Sequence, residues 1–187
     1  MSEDCDSRRG EPGTGGETEA PDEPWLELEI VHDSGDWRPL SRYERSARAA
    51  ANAVARAVDA PGSRAEATIV LGSDARLRTL NRQYRGFDKA TNVLSFPAVA
   101  PPVTVGPAFL GDVVLGEETL LREAAERGIA PLDHFTHLVV HGLLHLLGLD
   151  HEDERNAAAM EAAEIEILAS IGIANPYREE EAVDPTG

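Results

Sequence analysis

The sequence predicts a single α+β domain in which a small mixed β-sheet of about four strands packs with about five helices. Strand and helix patterns alternate in the first part of the chain and only helix patterns follow, so the predicted order is βαβαββααα. Of the 187 residues, the segment 25–177 carries all of these patterns and suits one domain. A segment of that length buries an ordinary core without disulfide or metal staples.

The first strand and helix are predicted between Trp25 and Val58. Apolar and acidic residues alternate in LELEI (26–30), which is the pattern of a half-buried strand. Ser41 and Glu44 form an S-x-x-E capping box for a helix that runs to about Val58. The apolar stripe of this helix consists of Tyr43, Ala47, Ala50, Ala51, Val54 and Val58.

A second strand and helix follow directly. AEATIVLG (65–72) is the second strand, and Ser73 is placed to cap a helix that runs to about Tyr84. Leu77, Leu80 and Tyr84 are expected to face inward from this helix.

Two more strands precede the helical half. Val93–Phe96 is a short strand and Phe109–Leu115 is the last one. The proline-rich segment 97–107 between them is predicted to be a loop. Three helices then end at glycines. They are 117–127 before Gly128, about 132–147 before Gly148, and about 153–171 before Gly172.

The chain is acidic, but its acidity is concentrated at the ends. The net charge is −17, of which residues 1–24 carry −6 and residues 178–187 carry −3. Both segments are too polar to offset the entropy of ordering, so we expect them to be disordered. The remaining charge still argues against indiscriminate nucleic-acid binding, because phosphate contacts need Lys or Arg. Any nucleic-acid site must therefore lie in a local basic patch.

Cysteine content and hydropathy restrict the class of protein. Cys5 is the single cysteine, which excludes an internal disulfide and a cysteine-based zinc site. Residues 1–24 lack the basic and apolar regions of a signal peptide, and no stretch approaches the ~18 apolar residues of a membrane span. We therefore expect a soluble, non-secreted protein of the cytoplasm.

Five of the six histidines lie between residues 134 and 151, and three of them have the spacing H-x3-H-x2-G-x2-H. On a helix, His141 and His145 lie one turn apart on one face. Gly148 can adopt the left-handed conformation that ends a helix, so His151 can turn back as a third ligand. Three neutral imidazoles without an obvious fourth protein ligand predict one zinc ion in an open site that holds water.

The neighbouring polar residues are given supporting roles. His134 and His137 project toward the same face of the helix, where we expect surface positions or contacts with the ligands rather than with the metal. The exception to be tested is His137, one turn before His141, because a fourth protein nitrogen would close the site. Asp150, beside His151, either orients an imidazole, as zinc histidines commonly require, or caps a helix.

The same histidine spacing occurs in metzincin proteases as HExxHxxGxxH, where the glutamate is the general base. Gly142 occupies the position of that glutamate here. A zinc peptidase is therefore disfavoured, although Asp150 and Glu152 lie close in sequence.

A local basic patch lies in and after the second predicted helix. Arg85 is the best anion ligand, because its guanidinium presents a rigid fork to phosphate and Gly86 lets the backbone approach. We expect the arginines of the preceding helix to be solvated, and Arg85, Asp88 and Lys89 to serve function from a loop. The bases of the patch are Arg76, Arg78, Arg82, Arg85 and Lys89.

Three segments together resemble the YbeY family of bacterial endoribonucleases, the rRNA maturation factors. They are YRGFDKATNVLSFP (84–97), LGDVVL (110–115) and HLVVHGLLHLLGLDH (137–151), in this order, and the resemblance spans roughly 25–177. It implies a small mixed sheet with helices around a central zinc-bearing helix. The implied activity is metal-dependent cleavage of single-stranded RNA in maturation of the 16S rRNA 3′ end and in ribosome quality control. The implied partners are precursor rRNA, the small ribosomal subunit and assembly factors.

The resemblance also implies residue roles by matching position. His141, His145 and His151 would be the zinc ligands, and Arg85 the essential basic residue. We further expect Lys89, Asn92 and Ser95, in the first of the three segments, to contact the substrate. The acidic N-terminal extension has no counterpart in the minimal family pattern.

The expected mechanism uses zinc to lower the pKa of bound water to about 7 or to act as a Lewis acid on a phosphoryl oxygen. Arg85 would stabilise the charge that develops on phosphorus oxygens. Either water or the ribose 2′-hydroxyl can be the nucleophile. Two rival functions stay open: a ribosome-assembly factor that binds RNA around a structural zinc, and a zinc peptidase.

Overall fold

A computed structural model describes residues 24–59, 64–98, 107–149 and 154–178. The elements follow the predicted order βαβαββααα. They are β1 (Leu26–His32), α1 (Leu40–Ala57), β2 (Ala65–Gly72), α2 (Asp74–Arg85), β3 (Val93–Pro97), β4 (Ala108–Gly116), α3 (Glu117–Glu126), α4 (Pro131–Leu146) and α5 (Glu154–Ser170).

The four strands form one mixed sheet with the order β1-β2-β4-β3. β1, β2 and β4 run parallel, and β3 pairs antiparallel with β4 at one edge. The α+β prediction with a small mixed sheet is therefore confirmed. The acidic end segments, residues 60–63, the proline-rich segment 99–106 and residues 150–153 lie outside the described residues, so the predicted disorder of both ends stays a prediction.

The two faces of the sheet carry different helices. Side chains such as Ile69 and Val113 face α1, α4 and α5 and form the larger core, whereas Leu94 and Val114 face α2. An edge-to-face cluster of Trp37, Tyr43 and Phe135 joins α1 to α4, with Tyr43 and Phe135 ring centroids 5.0 Å apart. α4 is thus the central helix, because it is buried between the sheet and the helices α1, α3 and α5.

Two local expectations are wrong. α1 begins at Leu40, after Pro39, and no side chain caps it, so Ser41 lies inside the helix and the S-x-x-E pattern forms no capping box. Tyr84 does not join the core: it lies in the last turn of α2, where its ring packs edge-to-face against Phe96 of β3 and stays largely exposed. The Ser73 cap, by contrast, is confirmed: its Oγ accepts a hydrogen bond from the Arg76 amide.

Within the described ranges, no helix is long and apolar enough to cross a membrane.

Gly142 sets how closely α4 approaches the sheet. A Cβ at this position would lie 2.4 Å from Val113 Cγ1 and 3.3 Å from Ser95 Oγ. Val113 is fully buried and stiff at χ1, so it cannot swing away. The position therefore has no room for the glutamate that a metzincin places there, which removes the usual support for a peptidase.

We expect Gly142→Ala to destabilise the protein by about 1–3 kcal/mol through overpacking, despite the better helix propensity of alanine. Urea unfolding measures the change. Adding Val113→Ala should cost less in the Gly142→Ala background than in the wild type, because it removes the clashing methyl groups. Additive effects of the two substitutions would contradict this packing argument.

Candidate metal centre

Two histidines of α4 converge on one point. His141 and His145 lie one turn apart, and their Nε2 atoms face each other at 3.1 Å. Two nitrogens bound to one tetrahedral zinc at about 2.0–2.1 Å would lie about 3.3 Å apart, so the spacing fits a shared ion. Two imidazole nitrogens at this distance need a proton or a cation between them. The structure brings these rings together, and their role as metal ligands stays a prediction.

The third predicted ligand, His151, and its neighbour Asp150 lie outside the described residues. The turn that would bring His151 back is present as far as it is described, because α4 is followed by Gly148 with φ +88°. Among the described residues, no three or more His, Cys, Asp or Glu side chains are grouped to hold a metal. The role of His151 as a third ligand therefore stays a prediction.

Glu164 of α5 lies behind the histidine pair and is completely buried. Its Oε1 accepts a hydrogen bond from His141 Nδ1 at 2.6 Å, and its Oε2 accepts bonds from His137 and Tyr177. Burial by itself raises the pKa of Glu164, but the hydrogen bonds outweigh it and lower the pKa to about 2. An ionised Glu164 requires the proton of a neutral His141 on Nδ1, which leaves the Nε2 lone pair facing His145.

His137 and His134 are both buried, which excludes the surface positions considered for them. His137 Nε2 contacts Glu164 Oε2 at 3.2 Å, so it supports the carboxylate that orients His141. His134 Nε2 donates to Glu123 at 2.8 Å, and burial lowers the pKa of His134 against the opposing effect of that carboxylate.

A cavity of about 350 Å³ opens beside His141. At one side the Asn92 amide donates to Glu123 at 2.8 Å, on the same oxygen that His134 contacts. Arg127 supplies the cation in the lining, and its guanidinium also donates to the Pro176 carbonyl. The lining residues are Asn92, Val93, Glu123, Arg127, His134, His137, Leu138, His141 and Tyr177.

Arg85, Lys89 and Ser95, the other predicted site residues within the described ranges, do not line this cavity. Arg85 is the last residue of α2 and is exposed, and Lys89 is exposed in the following loop. Ser95 Oγ donates to the Gly142 carbonyl at 3.4 Å, which places β3 directly beside the peptide that follows His141. The predicted place of Arg85 in the metal cleft stays a prediction.

Sequence reasoning missed Glu164 and Tyr177. A signal for Glu164 exists in hindsight, because it occupies an apolar-stripe position of α5 together with Met160, Ile167 and Leu168. A glutamate at such a position is almost never buried without partners. Tyr177 carries no comparable signal, since it follows α5 in an irregular segment.

Glu164→Gln is expected to weaken zinc binding about 10- to 100-fold, the usual effect of losing a carboxylate that orients a ligating histidine. The amide cannot serve as a charged acceptor for His141, so the Nδ1–H tautomer loses its support. Competition with a chelating dye measures the affinity. Glu161→Gln, an exposed carboxylate on the same helix, is the matched control. Equal affinity of both variants would remove Glu164 from the site.

Comparison with known proteins identifies close relatives. A family model described as Endoribonuclease YbeY matches residues 32–172. The chain is 46% identical over 153 residues to an Endoribonuclease YbeY of Azorhizobium caulinodans, covering 81% of this chain and 96% of the relative. It is 46% identical over 165 residues to an Endoribonuclease YbeY of Rhodopseudomonas palustris, covering 86% of this chain and 94% of the relative.

A solved structure shares the fold. The solution structure of a Thermotoga maritima protein aligns with a TM-score of 0.51 at 20% identity, over 82% of this chain and 100% of that protein. At this identity the match supports the arrangement of strands and helices only.

Proposed function

The chain belongs to the YbeY family and is an endoribonuclease, and from this premise we propose that it uses one zinc ion to cleave single-stranded RNA. The observation that carries the zinc proposal is the pair of imidazole Nε2 atoms 3.1 Å apart, with a buried carboxylate behind one of them. Three imidazole ligands would leave a coordination position for catalysis.

His141, His145 and His151 would hold the ion. When bound, zinc supplies a Lewis acid that polarises a phosphoryl oxygen or acidifies water. Glu164 holds the Nδ1 proton of His141, and His137 and Tyr177 hold Glu164 in place. The shell around the histidines is thus built before substrate arrives, which limits the reorganisation needed during the reaction.

Arg85 would bind the scissile phosphate through its guanidinium fork and stabilise the negative charge that grows on its oxygens. Its side chain makes no ion pair or hydrogen bond in the described part of the chain, so it is available to an anion. Lys89 and Asn92, which precede β3, and Ser95, within it, would contact the substrate.

The biological substrate proposed is the precursor of 16S rRNA, with cleavage near its 3′ end and a role in ribosome quality control. Such a role places the protein in the cytoplasm with the small ribosomal subunit and assembly factors as partners. An acidic chain binds RNA weakly by itself, which favours targeting through such a partner.

Cleavage assays separate this function from its rivals. The purified protein is incubated with labelled single-stranded RNA, with duplex RNA and with peptides, before and after chelation and after zinc is restored. Zinc-dependent cutting of single-stranded RNA alone supports the proposal. RNA binding without cleavage would favour an assembly factor with structural zinc, and cleavage of peptides would favour a peptidase.

Deletion of residues 1–24 should strengthen RNA binding by about 2- to 10-fold at low salt, because it removes six net negative charges. The effect should shrink as salt screens the charges. Anisotropy titrations at two salt concentrations measure it, with the melting temperature as the folding control. Loss of cleavage with zinc still bound would show instead that this segment takes part in positioning the substrate.

A further inference from the structure

The last turn of α2 and the loop that follows it carry the two most exposed large apolar side chains of the described residues. Tyr84 is 62% exposed and Phe87 is 58% exposed, above Phe109 at 44%. Exposed apolar surface rimmed by polar residues is typical of sites that bind a ligand or a partner. Tyr84 also packs edge-to-face on Phe96 of β3, with ring centroids 5.1 Å apart, so its ring is held in place.

Basic residues lie next to these rings in the chain. Arg82, Arg85 and Lys89 are exposed, and none of them makes a side-chain ion pair or hydrogen bond in the parts of the chain that the structure describes. The acid of this loop, Asp88, is already paired with Arg78 through two hydrogen bonds of 2.8 Å. The surface is therefore positive, although the chain as a whole is strongly acidic.

The loop that carries Phe87 and Lys89 is fastened to α2. The Phe87 amide donates to the Asn81 carbonyl at 3.3 Å, and the Asn81 side chain donates to the Lys89 carbonyl at 2.9 Å. Asn81 is itself buried, so the loop is anchored to the interior of the domain. Rings and cations are thus presented on a preformed backbone.

We infer that Tyr84 and Phe87 are a stacking platform for the bases of single-stranded RNA, with Arg82 and Lys89 on its phosphates. This inference rests on the endoribonuclease function and adds positioning residues to it. Every base has a π-face, so stacking on aromatic side chains beside cations binds single strands with little sequence preference. A duplex buries its base faces and cannot use such a platform, which explains a preference for single strands.

The platform lies within reach of the histidine pair. Phe96, which contacts Tyr84, faces α2, whereas its neighbour Ser95 faces α4 and contacts the Gly142 carbonyl next to His141. One strand therefore separates the platform from the metal centre. That strand, β3, is the edge of the sheet, so an RNA strand can pass around it from one face to the other.

Binding of a cleavage-resistant single-stranded phosphorothioate RNA tests the inference. Tyr84→Ala and Phe87→Ala should each weaken binding about tenfold, within the range for loss of one stacked base. Tyr84→Phe should bind as the wild type does, and melting temperatures show whether each variant is folded. Phe109→Ala, which removes another exposed aromatic ring near the start of β4, should leave binding unchanged.

An abasic strand of the same length and backbone separates stacking from charge. The wild type and the two alanine variants should bind this probe with the same weak affinity and the same dependence on salt. By contrast, Lys89→Ala should reduce the slope of the salt dependence by about one. The inference would be overturned if the alanine variants lost as much affinity for the abasic strand as for the intact RNA. It would also be overturned if both variants bound RNA as the wild type does, and that result would assign the rings to a protein partner.

The outcomes also separate this inference from the proposed function. A wild-type protein that binds RNA through the two rings but cuts none would contradict the zinc-nuclease proposal and leave the platform standing. A wild-type protein that cuts RNA, with Tyr84→Ala and Phe87→Ala cutting and binding equally well, would overturn the platform alone.

Discussion

Replacing His141 by alanine should abolish zinc binding and reduce RNA cleavage by about 10³-fold or more, since a Lewis acid contributes several kcal/mol to the transition state. His141 is the histidine that Glu164 orients toward His145, so its loss removes both a ligand and the connection to the buried carboxylate. Bound zinc per chain and the rate of cleavage of labelled single-stranded RNA are the two measurements.

The matched control is His32→Ala, because His32 is exposed on β1 and lies outside the histidine segment. It should retain full zinc content and activity. The buried carboxylate left without its partner will also lower stability, so the melting temperature is recorded for each variant. A folded His141→Ala protein that keeps both zinc and wild-type cleavage would disprove the proposed centre.

Arg85→Ala should reduce the turnover number about 10²- to 10³-fold, the effect of losing one charge-stabilising donor from an active site. Arg85→Lys keeps the charge but loses the planar fork, so we expect it to recover only part of the activity. Because Arg85 is exposed and unpaired in the described structure, both changes should alter the free energy of unfolding by less than about 0.5 kcal/mol.

Single-turnover cleavage and urea unfolding together measure these effects. Arg56→Ala, at an exposed arginine in the last turn of α1, is the control for a general loss of positive charge. A loss seen only as a higher KM would make Arg85 a docking residue that binds the substrate and the transition state equally. Wild-type turnover in Arg85→Ala would remove it from the mechanism altogether.

The element order, the mixed sheet and the family were all predictable from the sequence, and each is confirmed. These features follow from patterns between neighbours: alternation for strands, 3.6-residue spacing for helices, and ordered motifs for the family. The convergence of His141 with His145 was predictable for the same reason. Helix geometry places residues four apart on one face whatever the rest of the chain does.

Local patterns were less reliable where tertiary contacts compete with them. The S-x-x-E text at Ser41 formed no cap, because α1 starts earlier, behind Pro39. Tyr84 continued the apolar stripe of α2, but it contacts Phe96 of β3 only edge-to-face and stays largely exposed. A capping pattern or an apolar stripe reads the same in the sequence whether or not the predicted contact forms. Only the packing of the folded chain decides whether it forms.

The sequence by itself determined the fold class, the paired histidines of α4 and the basic end of α2, because each depends on residues close together in the chain. The tertiary structure alone decided that Glu164, 23 residues after His141, orients its imidazole and that Tyr177 holds Glu164 in turn. It also decided that Gly142 lies against Val113. Contacts between distant residues depend on how helices and sheet pack, and no local periodicity encodes that packing.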